Sequence, residues 1–135
     1  MAEVFGVVSG AGGLISLALE IAKGVDILRD ARRRLDEAPA ELESLETELE
    51  FLHAVMDRVI RTAPPTDTPS MEIRHCEKSC DNVVRRLRKL REMLLETSRA
   101  EGPKKIIKTF GFRHWKGDID ALMNCIHGAK INLGL

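Results

Sequence analysis

The chain has 135 residues, with 21 Lys and Arg against 21 Asp and Glu, and a formal net charge of zero. That length holds one compact domain, residues 1–135, and buries roughly two-thirds of the unfolded surface without help from a disulfide or a metal. Balanced charge argues against a general nucleic-acid binder, for which a strongly basic domain is expected. Cys76, Cys80 and Cys125 are an odd number at no framework spacing, which fits a reducing compartment. Glu3 precedes the first apolar run and no basic residue stands before it. That is neither a secretory signal nor a mitochondrial presequence, and the chain reads as cytoplasmic.

The first element expected is a helix over Met1–Leu28, and its sixteen residues from Val4 to Leu19 carry no charge. At about 100° per residue, Gly6, Gly10, Gly13 and Gly24 fall within one arc, with Ser9 and Ser16 beside it and Gly12 off it. A second stripe, Val4, Val8, Ala11, Ile15, Ala18, Ala22 and Val25, alternates steps of four and three. Gly6, Gly10, Gly12 and Gly13 together cost about 4 kcal/mol of helix propensity. Close approach of another helix to a flat small-residue face offsets such a cost, and Gly6-x-x-x-Gly10 has the spacing of membrane helix pairs. Sixteen residues span only about 24 Å, against a hydrocarbon core of roughly 30 Å. Extending to Leu28 takes in Glu20, Lys23 and Asp26, which are costly in lipid unless paired. Two readings therefore stand: a buried first helix of a soluble bundle, and a segment that inserts as an oligomer hiding Glu20.

The basic end Arg29–Arg34 suits a helix C-terminus, and Pro39 suits the start of a second helix. From there Leu42, Leu45, Leu49, Leu52, Met56 and Val59 form an unbroken packing seam. Its flanks are acidic: Asp36, Glu37, Glu41, Glu43, Glu46, Glu48 and Glu50 occur with no basic residue among them. A proline-rich loop follows at 63–69. A third helix, from about Ser70 to Thr97, has the seam Ile73, Cys76, Cys80, Val83, Leu87, Leu90 and Leu94. Its other face is basic, with Arg85, Arg86, Arg88, Lys89 and Arg91 close together. A loop is expected at 99–103, around Gly102-Pro103, then a short extra helix near Lys104–Thr109. The last helix carries Ile119, Leu122, Ile126, Ala129 and Leu133 at the same alternating spacing. The fold expected is all-α, a bundle of four main helices plus the short extra one.

Several side-chain clusters invite a chemical reading. The Arg85–Arg91 run serves either as a solvated, charge-complementing face or as a contact for anionic lipid, with nucleic acid a weaker third reading. Phe110, Phe112, His114 and Trp115, interleaved with basic residues, either plug the end of the bundle or form a membrane-interface belt. His75, Cys76, Cys80, Cys125 and His127 do not make a metal site, because both seam cysteines face the core and Cys125 and His127 diverge on a helix. No nucleophile elbow, phosphate loop or metalloprotease motif is present, so neither catalysis nor a cofactor is expected.

Read in order, an M-A-E-V-F-G start running into a glycine-studded apolar helix, then Glu37-Ala38-Pro39-Ala40-Glu41-Leu42, then His114-Trp115-Lys116 and the closing Lys130–Leu135, resembles the HeLo-like N-terminal domain of fungal STAND proteins. The resemblance implies a cell-death executor of innate immunity and heterokaryon incompatibility, placed ahead of a nucleotide-binding or effector domain. It also implies self-association and insertion of the N-terminal helix into the plasma membrane, from a cytoplasmic resting state, with anionic lipids as partners. Carried onto this chain, Met1 to about Ile21 is the inserting segment and Gly6, Gly10 and Gly13 its packing face. Val4, Phe5, Leu14, Leu17 and Glu20 complete the residues expected to matter; Arg85, Arg86, Arg88, Lys89 and Arg91 are the candidate anionic-lipid contact if the basic run meets lipid and not solvent alone. A soluble protein–protein signalling adaptor is the alternative.

Overall fold

Apolar residues stepping by three and four place one stripe on one side of a helix, and four such stripes can be satisfied only against one another. The computed structural model describes residues 11–34, 40–63, 68–101 and 109–135. They form α1 (Gly12–Arg34), α2 (Ala40–Thr62), α3 (Met71–Glu101) and α4 (Thr109–Asn132), with no strand among the described residues. The fold is an all-α helical bundle.

In α2 and α3 the seams are buried except for Val59, which is partly buried, and Glu46 and Val84 are buried beside them. Leu42, Leu45, Leu49, Leu52 and Met56 are fully buried in α2, and the α3 seam from Ile73 to Leu94 is buried throughout. In α4, Ile119, Leu122, Ile126 and Ala129 face the core and Leu133 packs against it. The first helix differs in detail. Its buried face is centred on Leu14, Ile21 and Leu28, with Ala11, Ala18 and Val25 on one flank and Gly24 and Ala31 on the other. Gly24 of the glycine arc and Ala11, Ala18 and Val25 of the second stripe, separate features in the sequence, lie on the two flanks of this one face. Gly6, Gly10, Val4, Phe5 and Val8 lie outside the described residues.

Local chemistry sets the ends. Ser70 caps α3, its Oγ accepting from the Ile73 N–H at 3.2 Å. Glu41 and Glu43 occupy the first turn of α2, where the helix dipole favours acids. Gly134, with φ of 76°, closes α4. The Gly134 N–H reaches the Ile131 carbonyl at 3.0 Å and the Leu135 N–H the Lys130 carbonyl at 2.8 Å, the paired bonds of a Schellman cap. Three boundaries depart from expectation. The first helix runs six residues past Leu28, to Arg34. The third helix runs on to Glu101, because nothing from Ser98 to Glu101 breaks it before Gly102-Pro103. The last helix begins at Thr109, so Phe110–Trp115 belong to its opening turns and not to a separate segment. The remainder of the expected extra helix, 104–108, lies outside the described residues.

The packing follows from a few cross-helix pairs. Arg29 with Glu50 and Arg32 with Glu46 set α1 antiparallel to α2. Gly13 beside Glu77 and Gly24 beside Leu87 set α1 parallel to α3. Lys89 with Asp118, and the His75 Nε2 donating to the Asn132 carbonyl, set α4 antiparallel to α3. Both α1 and α4 pack against α2 and against α3.

A Cβ added at Gly24 would collide with Leu87 Cδ2 and stand 2.7 Å from its Cγ, whereas one added at Gly128 meets nothing within 4 Å. Urea melts of the two variants should therefore move in opposite directions. Gly24→Val is expected to destabilise by about 2 kcal/mol or more, through overpacking. Gly128→Ala should stabilise by about 0.5–1 kcal/mol, through helix propensity and a less free unfolded chain.

Candidate functional site

The polar groups that hold α1 in the bundle form the site. Glu20 sits on the α3 side of α1, one turn before Gly24. Its Oε2 accepts from Arg91 Nη1 at 3.1 Å and from Arg88 Nε at 3.4 Å. Glu20 and Arg91 are mostly covered, with side-chain exposures of 23% and 22%, so this pair is less screened than a surface ion pair. The acid that limits the apolar length of the first helix is thus neutralised from α3.

At its other end α1 is held with reversed polarity. Glu46 is the buried charged residue of the described core, at 4% exposure. It accepts from Arg32 through Nε and, at 3.5 Å, through Nη2, and Arg29 Nε lies 3.5 Å away. Arg29 also pairs with Glu50 and, within α1, with Asp26 at 3.8 Å. The hydrogen bond and charge of Glu46 raise the Arg32 guanidinium above its ordinary pKa. No buried side-chain polar atom among the described residues is left without a partner.

Of the residues singled out from sequence, Val4, Phe5, Gly6 and Gly10 lie outside the described part. Gly13 is exposed, with the Glu77 carboxylate where its side chain would be. Leu14 is fully buried, and Leu17 is partly buried against the core. The basic run is not one free patch. Arg85 pairs with Asp81 at 2.8 Å, Lys89 with Asp118 at 3.5 Å, and Arg88 and Arg91 with Glu20. Arg86 is exposed, with no acidic side chain at ion-pair distance among the described residues. Charge complementation is real but differently partnered than a match of acidic helix two with basic helix three. The α2 acids meet arginines of α1 and, through Glu48, Lys130 of α4 at 2.9 Å. Lys130 also stands 5.0 Å above the Phe51 ring.

Glu46 is the residue that sequence reasoning misses. It stands among the acidic flank of α2, yet it follows Leu45 and precedes Leu49 by three, a position at the edge of the seam. Its sharing of a helix face with three leucines is the available signal.

Between the first turns of α1 and α3 lies an open groove of about 590 Å³, bordered by Gly13, Leu17, Arg74, Glu77, Lys78 and Asp81. Its lining mixes acidic and basic side chains. Among the described residues no three metal-ligating side chains come together. Cys76 and Cys80 are fully buried. Their mutual hydrogen bond and burial push the Cys80 thiol well above its ordinary pKa. No protein-family model, curated protein or solved structure matches the chain.

Two outcomes are expected in solution. Glu46→Gln should lower the urea midpoint more than Glu50→Gln, because Glu50 is half exposed while loss of the Glu46 charge leaves two arginines facing a covered site. In a thiol-titration experiment on the native protein, Cys125 should react promptly, while Cys76 and Cys80 should react only as the bundle unfolds.

Proposed function

We propose that this is a non-enzymatic effector domain of programmed cell death. In this reading it oligomerises and inserts its N-terminal helix into anionic membrane, permeabilising it. The observation that carries the reading is how the helix continuing an uncharged stretch is held in the bundle. Sixteen residues without charge, Val4 to Leu19, lead directly into Glu20, and that first acid is neutralised by arginines of another helix. Gly24 adds a close, flat contact just beyond it. A segment secured by a glycine contact and ion pairs is suited to being docked and undocked.

Among the described residues no helix is long and apolar enough to cross a membrane. Insertion in this reading therefore recruits the residues before Gly12 and hides Glu20 inside an oligomer. Release also has a cost. Leu14, Ile21 and Leu28 are fully buried. At about 1.5–3 kcal/mol each, exposing all three costs about 5–9 kcal/mol, a large share of the roughly 5–15 kcal/mol that stabilises a domain. Self-association and lipid must offset it, which makes activation a triggered event. A C-terminal nucleotide-binding or effector domain in the full-length protein, of the STAND type, is the trigger we envisage. The resting protein is cytoplasmic and the active one is at the plasma membrane. Nucleic acid has no part in this reading.

The same burial favours a second reading. An α1 that supplies three of the largest fully buried side chains is also what a permanently closed adaptor bundle needs. Dye release from phosphatidylserine-containing vesicles separates the two. Wild type should leak them, and Gly10→Glu and a deletion of residues 1–10 should both lose the activity while keeping helical circular dichroism. That deletion leaves Leu14 and Ala18 in place, so it spares the described core. Absence of leakage and of lipid co-sedimentation, at concentrations where the domain oligomerises, would favour the adaptor.

A further inference from the structure

We infer that Arg88 and Arg91 form an anionic-headgroup site that Glu20 occupies at rest, so that lipid and α1 compete for the same two guanidinium groups. The inference rests on the proposed membrane role for its choice of ligand, and adds to it the site and its regulation.

The geometry distinguishes these two arginines from the rest of the basic run. Arg85 is paired within its own helix, to Asp81, and Lys89 is paired to Asp118 of α4. Those partners stay in place if α1 moves. Among the described residues of the run, Arg88 and Arg91 alone take their partner from α1, and both converge on a single oxygen, Oε2 of Glu20, at 3.4 and 3.1 Å. Two guanidinium groups on one anionic oxygen is an arrangement a phosphodiester or a headgroup carboxylate also satisfies. Arg88 is half exposed, so an anion can approach from solvent before Glu20 leaves. The occupant is a membrane surface because the competing carboxylate is joined directly to sixteen uncharged residues. Displacing Glu20 presents arginines to headgroups and, in the same event, removes the ion pairs that hold the helix adjoining that stretch.

Competition for one site is reciprocal. Whatever factor docked Glu20 takes from lipid affinity, bound lipid takes from α1 docking. Glu20→Gln keeps the shape of the side chain and removes the charge, so it should raise affinity for anionic vesicles while the bundle remains folded.

The test is co-sedimentation of the full chain with phosphatidylserine/phosphatidylcholine vesicles and with phosphatidylcholine alone. Glu72→Gln, about 24 Å from Arg88 along α3, makes the same change in net charge elsewhere. Glu20→Gln should bind the anionic vesicles about thirtyfold more tightly than wild type, as expected for two cations newly available at a charged surface. Glu72→Gln should change little, and adding Arg88→Gln and Arg91→Gln to Glu20→Gln should abolish the gain. Equal tightening by Glu72→Gln, equal binding to phosphatidylcholine alone, or persistence of the gain without the two arginines would each overturn the inference. So would tightening toward a single-stranded RNA with none toward vesicles. The arginine-dependent gain without dye release by any variant would sustain this site and overturn permeabilisation. Dye release indifferent to Glu20, Arg88 and Arg91 would do the reverse.

Discussion

Leu87 of α3 fills the space where residue 24 of α1 has no side chain, and the two helices approach as closely as they do because that residue is glycine. The contact sets more than a distance. With α1 drawn in at this point, Leu14, Ile21 and Leu28 point into the core, and Glu20, one turn earlier, comes within reach of Arg88 and Arg91. A larger residue at position 24 would separate the helices and weaken the buried face and the ion pair together. The helix-propensity penalty of a mid-helix glycine is about 1 kcal/mol. Here it is offset by packing that no larger residue permits.

The formal net charge of zero conceals an ordered distribution. The middle of α1 offers an acid to arginines of α3, and its end offers arginines to acids of α2. Helix α4 repeats the scheme, giving Asp118 to Lys89 of α3 and Lys130 to Glu48 of α2. Acidic α2 and basic α3 are thus each neutralised by the two helices that pack on both. Exposed pairs of this kind contribute little to stability, about 0–1 kcal/mol each. Their value lies in excluding wrong arrangements, since exchanging the places of α2 and α3 beside α1 would set Glu20 against acids and Arg29 and Arg32 against bases.

The seams of α2, α3 and α4 were legible because alternating steps of three and four identify a buried face whatever lies opposite it. Leu42 to Met56 and Ile73 to Leu94 needed no partner to be assigned. Partners were the part that periodicity does not encode. Nothing local to Arg88 or Arg91 shows that Glu20, some seventy positions earlier, stands across from them, and of a run of five basic residues that resembles one patch, four are divided among three sources of carboxylate. Glu46 was obscured for the complementary reason. A charge at the edge of a seam looks solvated until a neighbouring helix covers it with arginine. Helix ends were displaced where no breaker marks them, as from Ser98 to Glu101, and were accurate where a cap does, as at Ser70.

These constraints bear on how α1 is released in the proposed mechanism. The ion pair with Glu20 and the apolar contacts of Leu14, Ile21 and Leu28 belong to one rigid helix, so neither set is lost alone without straining the other. The apolar contacts hold α1 more strongly but offer no chemical handle, because lipid reaches them only after the helix has moved. The ion pair holds it more weakly but is reachable from solvent through half-exposed Arg88. In the proposed mechanism a signal at a membrane surface therefore acts first on the ion pair. It must then draw the remaining free energy from burial of the released face against lipid or other copies. The Glu46 cluster at the far end of α1 opposes complete departure, since loss of Arg29 and Arg32 would leave a covered carboxylate unpaired. Release that begins at Glu20 and remains tethered near Arg32 follows from this asymmetry, with the end of α1 nearest the uncharged stretch the first to leave.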